Sequence, residues 1–394
     1  MIKIRYNYQH SGYHPYFFNS HKHISKITVL IYKHIRIMKI LYLTIALLLG
    51  GFSSALACTG ISFFAKDGGY VQARTIEWGD SFLPSEYVII PRNLNQTSYT
   101  PTGINGLKFK SKYGVVGLAI IQKEFIAEGL NEAGLSAGLF YFPHYGKYPE
   151  YDQKQNSRTL SDLQFVSWIL SNFSTIDEVK KAIEQVRIVS LDKEGASSTV
   201  HWRIGEASGR QVVLEFENGK PCFYENQVGV LTNSPDFKWQ VTNLNNYVNL
   251  FPGNAPVQKI GNVTLFPFGA GSGFLGLPGD ITPPSRFVRI AFYKATAPQQ
   301  NTSDETILQC FHILNNFDIP IGVEFAPGKA PDIPSATQWT SAIDLTQKKV
   351  YYKTAYNNNI RCIELKDINF NTISYQSHPL DQTLKQPIEN LLFK

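Results

Sequence analysis

Residues 58–78 read CTGISFFAKDGGYVQARTIEW. Two apolar runs flank Lys66-Asp67-Gly68-Gly69, a group rich in residues that tolerate positive φ, so the stretch predicts a β-hairpin. A hairpin folded about that turn brings Arg74 and Glu77 back toward Cys58. A guanidinium lowers a thiol's pKa, and a carboxylate orients an ammonium or an arginine. The alternative for this pair is an ordinary strand ion pair, which contributes little.

What precedes Cys58 makes the hairpin chemically interesting. Residues 38–57, MKILYLTIALLLGGFSSALA, follow the pattern of a secretory signal peptide. Lys39 is its basic start, Ile40 to Leu49 its apolar stretch, and Ala55 and Ala57 its small-residue end. Cleavage after Ala57 leaves Cys58 holding both a thiol and a free α-amine. Such an amine has a pKa of about 7.7–8.0, so it takes up a proton near neutrality while the sulfur attacks a carbonyl. The expected organisation is an upstream extension over 1–37, a signal peptide over 38–57 and one domain over 58–394, with the product periplasmic or secreted. A rival fate is a lipid-anchored binding protein acylated at Cys58. That signal usually has Leu three residues before the cysteine, where this chain has Ala55, and lipidation consumes the thiol.

The formal charge of +6 points at first toward nucleic acid or an anionic surface. Seven of the 37 Lys and Arg residues, however, fall within the first 57 positions, which hold no Asp or Glu. The remaining 30 face 31 acidic residues, so the basic surplus belongs to the leader and polyanion partners lose their support. No stretch after the leader approaches the roughly 20 apolar residues of a membrane span. Cys58, Cys222, Cys310 and Cys362 form no CxxC or Cys/His cluster, so neither a metal nor a cofactor is expected. The last three read as small buried apolar side chains.

Further along, strands are predicted at 113–122 and 134–142 and at strand pairs within 199–226. Helices are predicted over 160–187 (with a fresh N-cap at Ser174–Asp177), 241–250, 285–295 and 305–316, and a closing strand pair over 341–365. Long antiparallel pairs with helices in blocks argue for an α+β class in one layered domain.

Two motif matches fail on context. Gly134–Gly138, GLSAG, fits a nucleophile elbow, but that elbow needs a helix after it, and LFYFP follows. Gly271–Gly276, GSGFLG, fits a dinucleotide loop, but Pro278 follows and no strand–helix frame surrounds it. Asn233, in LTNSPDF, sits where a side-chain amide is able to donate to a developing oxyanion; the plain alternative is an Asn that satisfies turn backbone. Arg286 falls in the first turn of a predicted helix, where a cation opposes the dipole, and a broken local rule marks a candidate site. Trp78 is a candidate wall of a substrate pocket.

CTG at 58–60, ARTIEW at 73–78, GLNEAGLSAGLFYF at 129–142, LTNSPDFKWQVTNLNNY at 231–247 and PFGAGSGFLGLPGDITPPSRFVR at 267–289 together resemble the choloylglycine hydrolases. These are the penicillin V acylases and conjugated bile salt hydrolases, N-terminal-nucleophile amidases with a four-layer αββα sandwich. The likeness spans essentially all of 58–394. It implies that Cys58 is the nucleophile, its freed amine the proton acceptor, Arg74 a neighbour of the thiol, Asn233 a lining of the oxyanion hole and Arg286 part of the polar network. Tyr141 matches a position where penicillin V acylases tend to carry Tyr and bile salt hydrolases Asn, and whose backbone N–H helps hold the oxyanion. The family usually has Asp where this chain has Glu77, with Asp80 a weaker substitute; an extra methylene shifts a positioned carboxylate. A degenerate, weakly active member is therefore one expectation to test.

The implied activity is hydrolysis of linear amides of acylated small molecules through a thioester, of the penicillin V type. Bile salt conjugates and N-acyl homoserine lactones are the alternatives, and a homotetramer is the implied assembly.

Overall fold

The computed structural model describes residues 57–78, 83–191, 199–324 and 336–393. The expected extension over 1–37, almost all of the expected signal peptide over 38–57, and Asp80 lie outside the described residues. Fourteen strands among the described residues build two antiparallel sheets: β1 (Cys58–Phe64), β2 (Tyr70–Glu77), β3 (Ser85–Ile90), β4 (Val115–Ile120), β5 (Ile126–Asn131), β6 (Leu135–Tyr141) and β7 (Val200–Glu206). They continue with β8 (Gln211–Glu217), β9 (Lys220–Glu225), β10 (Val230–Leu231), β11 (Thr337–Asp344), β12 (Lys349–Thr354), β13 (Asn357–Glu364) and β14 (Gln376–Pro379). The first sheet runs β10-β1-β2-β11-β12-β13 and the second β9-β8-β7-β6-β5-β4-β3-β14. Five helices accompany them: α1 (Phe165–Asn172), α2 (Ile176–Ala182), α3 (Phe237–Asn243), α4 (Pro283–Thr296) and α5 (Ser303–Leu314).

The leading hairpin forms in the expected register, with Cys58 opposite Ile76 and Gly60 opposite Arg74. Every residue of β1 and β2 except Phe64 is buried. That continuous burial follows from covering both faces of the sheet. Side chains alternate along a strand, so Cys58, Gly60, Arg74 and Ile76 share one face and Thr59, Thr75 and Glu77 the other. The first face meets the second sheet, and α4 and α5 pack on the other. Helix α1 covers the outer side of the second sheet at β5 and β6. The result is an α+β sandwich of two sheets between helices.

Close approach of the sheets needs small residues at two points. A Cβ on Gly60 would come within 2.9 Å of the Phe140 ring, and one on Gly138 within 2.0 Å of Glu128 Oε2. The space at Gly138 admits a charged layer into the core: Glu128 Oε1 accepts from Arg203 at 3.0 Å, and Oε2 lies 3.7 Å from Arg74.

Several elements depart from the expected ones. The helix expected over 160–187 is two short helices. Phe173 is extended after α1, and Thr175 then caps α2 in a reciprocal box with Glu178. Its ends are instead short strands, Thr159–Ser161 pairing in parallel with Arg187–Val189. Helix α3 begins at Phe237, before the expected 241, because the Asp236 side chain accepts from Trp239 N–H. Ser136 is fully buried within β6, so no nucleophile elbow exists there. Gly271–Gly276 lies in an irregular segment with only a short 3₁₀ turn, Ser272–Phe274. All four cysteines are free thiols, but Cys362 is exposed and Cys222 half-buried, which corrects the expectation that both are core residues. No described helix is long and apolar enough to cross a membrane.

Candidate active site

Cys58 is the first residue of β1 and is buried, 3 % exposed. The Ala57 carbonyl accepts from Glu77 N–H at 2.9 Å, which carries the hairpin ladder one residue upstream of Cys58. The Cys58 N–H donates to Asn233 Oδ1 at 2.8 Å. Arg286 Nη2 donates to that same oxygen at 2.7 Å, while Asn233 Nδ2 donates to the Tyr141 carbonyl at 2.8 Å. Two donors converging on one atom and a carbonyl facing the other fix the orientation of the Asn233 amide. One Nδ2 hydrogen remains beyond the bond to Tyr141. The Tyr141 N–H points at the Cys58 sulfur and lowers the thiol's pKa.

Arg286 resolves the helix-dipole conflict raised by its position. It is the fourth residue of α4 and fully buried, and it finds four oxygens. Its Nε donates to the Ile281 carbonyl at 2.8 Å and Nη1 to the Cys58 carbonyl at 2.6 Å and Thr59 Oγ1 at 2.7 Å. The guanidinium thus holds the backbone on the carboxyl side of Cys58 and the amide that faces its nitrogen. Acceptors replace the lost hydration.

Arg74 approaches from the opposite face of the sheet. It lies over the Phe140 ring at 4.1 Å and donates to the Leu139 and Ala127 carbonyls of the second sheet. Glu77 does not join it on that side. Strand alternation sends the Glu77 carboxylate to the helix-facing side, where Thr337 Oγ1 donates to it at 2.9 Å. Burial pushes the Glu77 carboxyl up to about 8, against the pull of Arg286. Trp78 follows β2, half-buried against the core.

Burial also raises the Cys58 thiol, and Glu77 adds to that, while Arg74 and Arg286 pull it down; the net direction is upward. A thiol so placed is protonated at neutral pH and needs a base within reach. The only atom of Cys58 able to become one is its own nitrogen, already held at hydrogen-bond distance by Asn233. Among the described residues no group of His, Cys, Asp and Glu is placed to hold a metal ion.

Three contributors escaped the sequence reading. Thr59 supplies an acceptor for Arg286, and its only signal was adjacency to Cys58. His201 and Glu215, both fully buried, lie behind Asn233. They sit symmetrically about Ser208 in the predicted strand pair, so two inward polar residues in apolar strands were the available signal.

Residues 58–378 match the family model for linear amide C–N hydrolases, choloylglycine hydrolase family. The chain belongs to the choloylglycine hydrolase family. Its relatives include the bile salt hydrolase/transferase of Clostridium perfringens, 34 % identical over 331 residues that cover 83 % of this chain and 98 % of that one. Penicillin V acylase of Pectobacterium atrosepticum is 27 % identical, over 83 % of this chain and 85 % of its own length. Among solved structures, a conjugated bile acid hydrolase mutant from Clostridium perfringens superposes with TM-score 0.75 at 32 % identity, covering 85 % of this chain and all of that one. Penicillin V acylase from Agrobacterium tumefaciens gives 0.65 at 25 % identity, covering 81 % and 90 %. The fold is accordingly that of the N-terminal-nucleophile hydrolases, and the chain is a hydrolase of linear amide C–N bonds.

Proposed function

We propose that the chain is exported, cut after Ala57, and hydrolyses N-acyl amides through a thioester on Cys58. The observation that carries this reading is the contact between Cys58 N and Asn233 Oδ1 at 2.8 Å, which fixes the future base next to its own thiol. The family match starting at Cys58 supports the same cut. Cys58 Sγ attacks the amide carbonyl as the α-amine takes the thiol proton. The oxyanion forms against the Tyr141 N–H and the free Asn233 Nδ2 hydrogen. Collapse breaks the C–N bond as the ammonium passes its proton to the leaving nitrogen. Water, deprotonated by the same amine, then attacks the thioester and releases the acid.

Similarity to bile salt hydrolases over nearly their whole length favours a conjugated bile salt as substrate. Tyr141, at the position where the penicillin V acylases tend to carry Tyr, favours a phenoxyacetyl amide as the second reading. A panel holding one glycine-conjugated bile salt, one phenoxyacetyl amide and one N-acyl homoserine lactone, assayed with wild type and Cys58→Ser, decides between them. Turnover of any of them by a protein that retains Ala57 would refute the mechanism, and a lipid adduct on Cys58 by intact mass would refute the enzyme reading. Assembly as a homotetramer is supported by the exposed apolar side chains of Ile260, Val263, Phe266 and Phe268, and light scattering tests it.

A further inference from the structure

We propose that His201 and Glu215 are positioning residues that lock the turn carrying Asn233; the proposal rests on the reading of Asn233 as an oxyanion donor. The pair is fully buried between the sheets, on adjacent strands β7 and β8. His201 Nδ1 lies 2.9 Å from Glu215 Oε1, and Nε2 lies 3.0 Å from the Thr232 carbonyl. Glu215 Oε1 also accepts from Phe237 N–H at 3.0 Å. The Phe142 ring stacks on the imidazole at 4.4 Å with planes 7° apart, fixing the ring's orientation.

The two contacts fall at opposite ends of one segment. Thr232 precedes Asn233, and Phe237 opens α3 after the turn, so the pair grips Thr232–Phe237 from both sides. Between those grips Asn233 meets Cys58 N and Arg286 through Oδ1 and the Tyr141 carbonyl through Nδ2. Both ring nitrogens of His201 face oxygen acceptors, and Glu215 Oε1 already accepts from a backbone amide. The imidazole therefore spans the gap between the Glu215 carboxyl group and the Thr232 carbonyl, with one ring nitrogen committed to each. A glutamine at 201 donates to Thr232 or to Glu215 but does not span both. Neither His201 nor Glu215 contacts Cys58 directly, so their influence on the reaction passes through Asn233. An oxyanion donor displaced by an ångström loses most of its effect, and removal of one costs about 10²–10³ in kcat.

The test compares wild type, His201→Gln and the paired variant His201→Leu/Glu215→Met, which removes both partners together and leaves no unpaired charge. The expected result in each variant is a ten- to hundredfold loss of kcat with KM changed less than about threefold. Alkylation of Cys58 by iodoacetamide, a displacement that uses no oxyanion hole, stays within about twofold of wild type. In an Asn233→Ala background the added His201→Gln lowers kcat by less than about threefold, because the donor it positions is gone. Multiplicative losses there, or parallel loss of alkylation and kcat in both variants, would overturn the proposal. A crystal structure of His201→Gln decides the question even if wild type turns over none of the panel amides. The Asn233 amide is expected turned so that Nδ2 leaves the Tyr141 carbonyl while Oδ1 keeps Cys58 N, and an unmoved Asn233 overturns the clamp.

Discussion

At the residue scale, Glu77 repays the closest study, because it departs from the Asp usual in the family and because its partners differ from the expected ones. The hairpin register was legible in residues 58–78, and it placed Arg74 and Glu77 near Cys58. Positions 74 and 77 differ by an odd number and so point oppositely, a consequence of strand alternation that reading Arg74 and Glu77 as a pair overlooked. What composition did not reveal is that the helix-facing side is as dry as the inter-sheet side, and this drives the carboxyl up to about 8. A folded-state pKa raised above the unfolded 4.5 means the folded chain binds the proton more tightly. Its contribution is full below about pH 4.5 and is lost as pH rises to about 8, a swing on the order of 4 kcal/mol. In the chain retaining Ala57, Glu77→Gln is expected to flatten the fall of stability between pH 5 and pH 8 in urea denaturation. An unchanged slope would place the titration elsewhere. In the processed enzyme, Glu77→Asp is expected to change kcat less than tenfold, since the carboxyl group is held by Thr337 on the helix-facing side and makes no hydrogen bond to the thiol. A gain above a hundredfold would show instead that this chain has lost activity through its extra methylene.

At the scale of elements, the sandwich depends on two sheets meeting where side chains are absent. Gly138 stands opposite Glu128 across the β5–β6 ladder, and a methyl there would meet the carboxylate oxygen that faces Arg74. Both flanking elements are rigid strands, so the chain has no easy way to yield. Gly138→Ala is expected to destabilise by about 2–4 kcal/mol, through overpacking and disruption of the buried ion cluster. The measurement is the shift of the urea midpoint at constant slope, and a loss below about 0.5 kcal/mol would mean that Glu128 moves aside freely. The sequence showed GLSAG as a strand by its aromatic sequel, yet nothing in it marked Gly138 as the residue making room for a charge. That information lies in Glu128, on the neighbouring strand. One helix start, in the Ser174–Asp177 cap, was read because caps are local, whereas the equivalent cap at Thr302 was not. Thr175 and Thr302 each form a reciprocal box with a Glu three residues on. The extended Phe173 lies just before the fresh N-cap read at Ser174–Asp177, although the apolar spacing of 160–187 continues across it.

At the scale of the whole molecule, the proposed mechanism has the chain assembled before it is able to act. Ala57 is buried, its carbonyl is paired with Glu77, and the ladder around Cys58 is complete with the leader still attached. Arg286 and Asn233 hold the Cys58 backbone through its nitrogen and its carbonyl, and neither contact depends on a free amine. Cutting after Ala57 therefore alters one group, turning a peptide nitrogen that only donates into an amine that accepts a proton. At this level the small-residue end of 38–57 supplies the expectation of a cut before Cys58, on which the proposed mechanism rests. The geometry that makes the amine useful was not legible, because Asn233 and Arg286 lie far along the chain from Cys58. Two forms of the protein, one starting at Cys58 and one retaining Ala57 as a single extra residue, are expected to have urea midpoints within about 1 kcal/mol of each other. Their amide hydrolysis rates are expected to differ by more than a thousandfold, since the longer form keeps the thiol but has no base. Comparable rates would mean that some other group takes the proton, and the Cys58 nitrogen would lose its role.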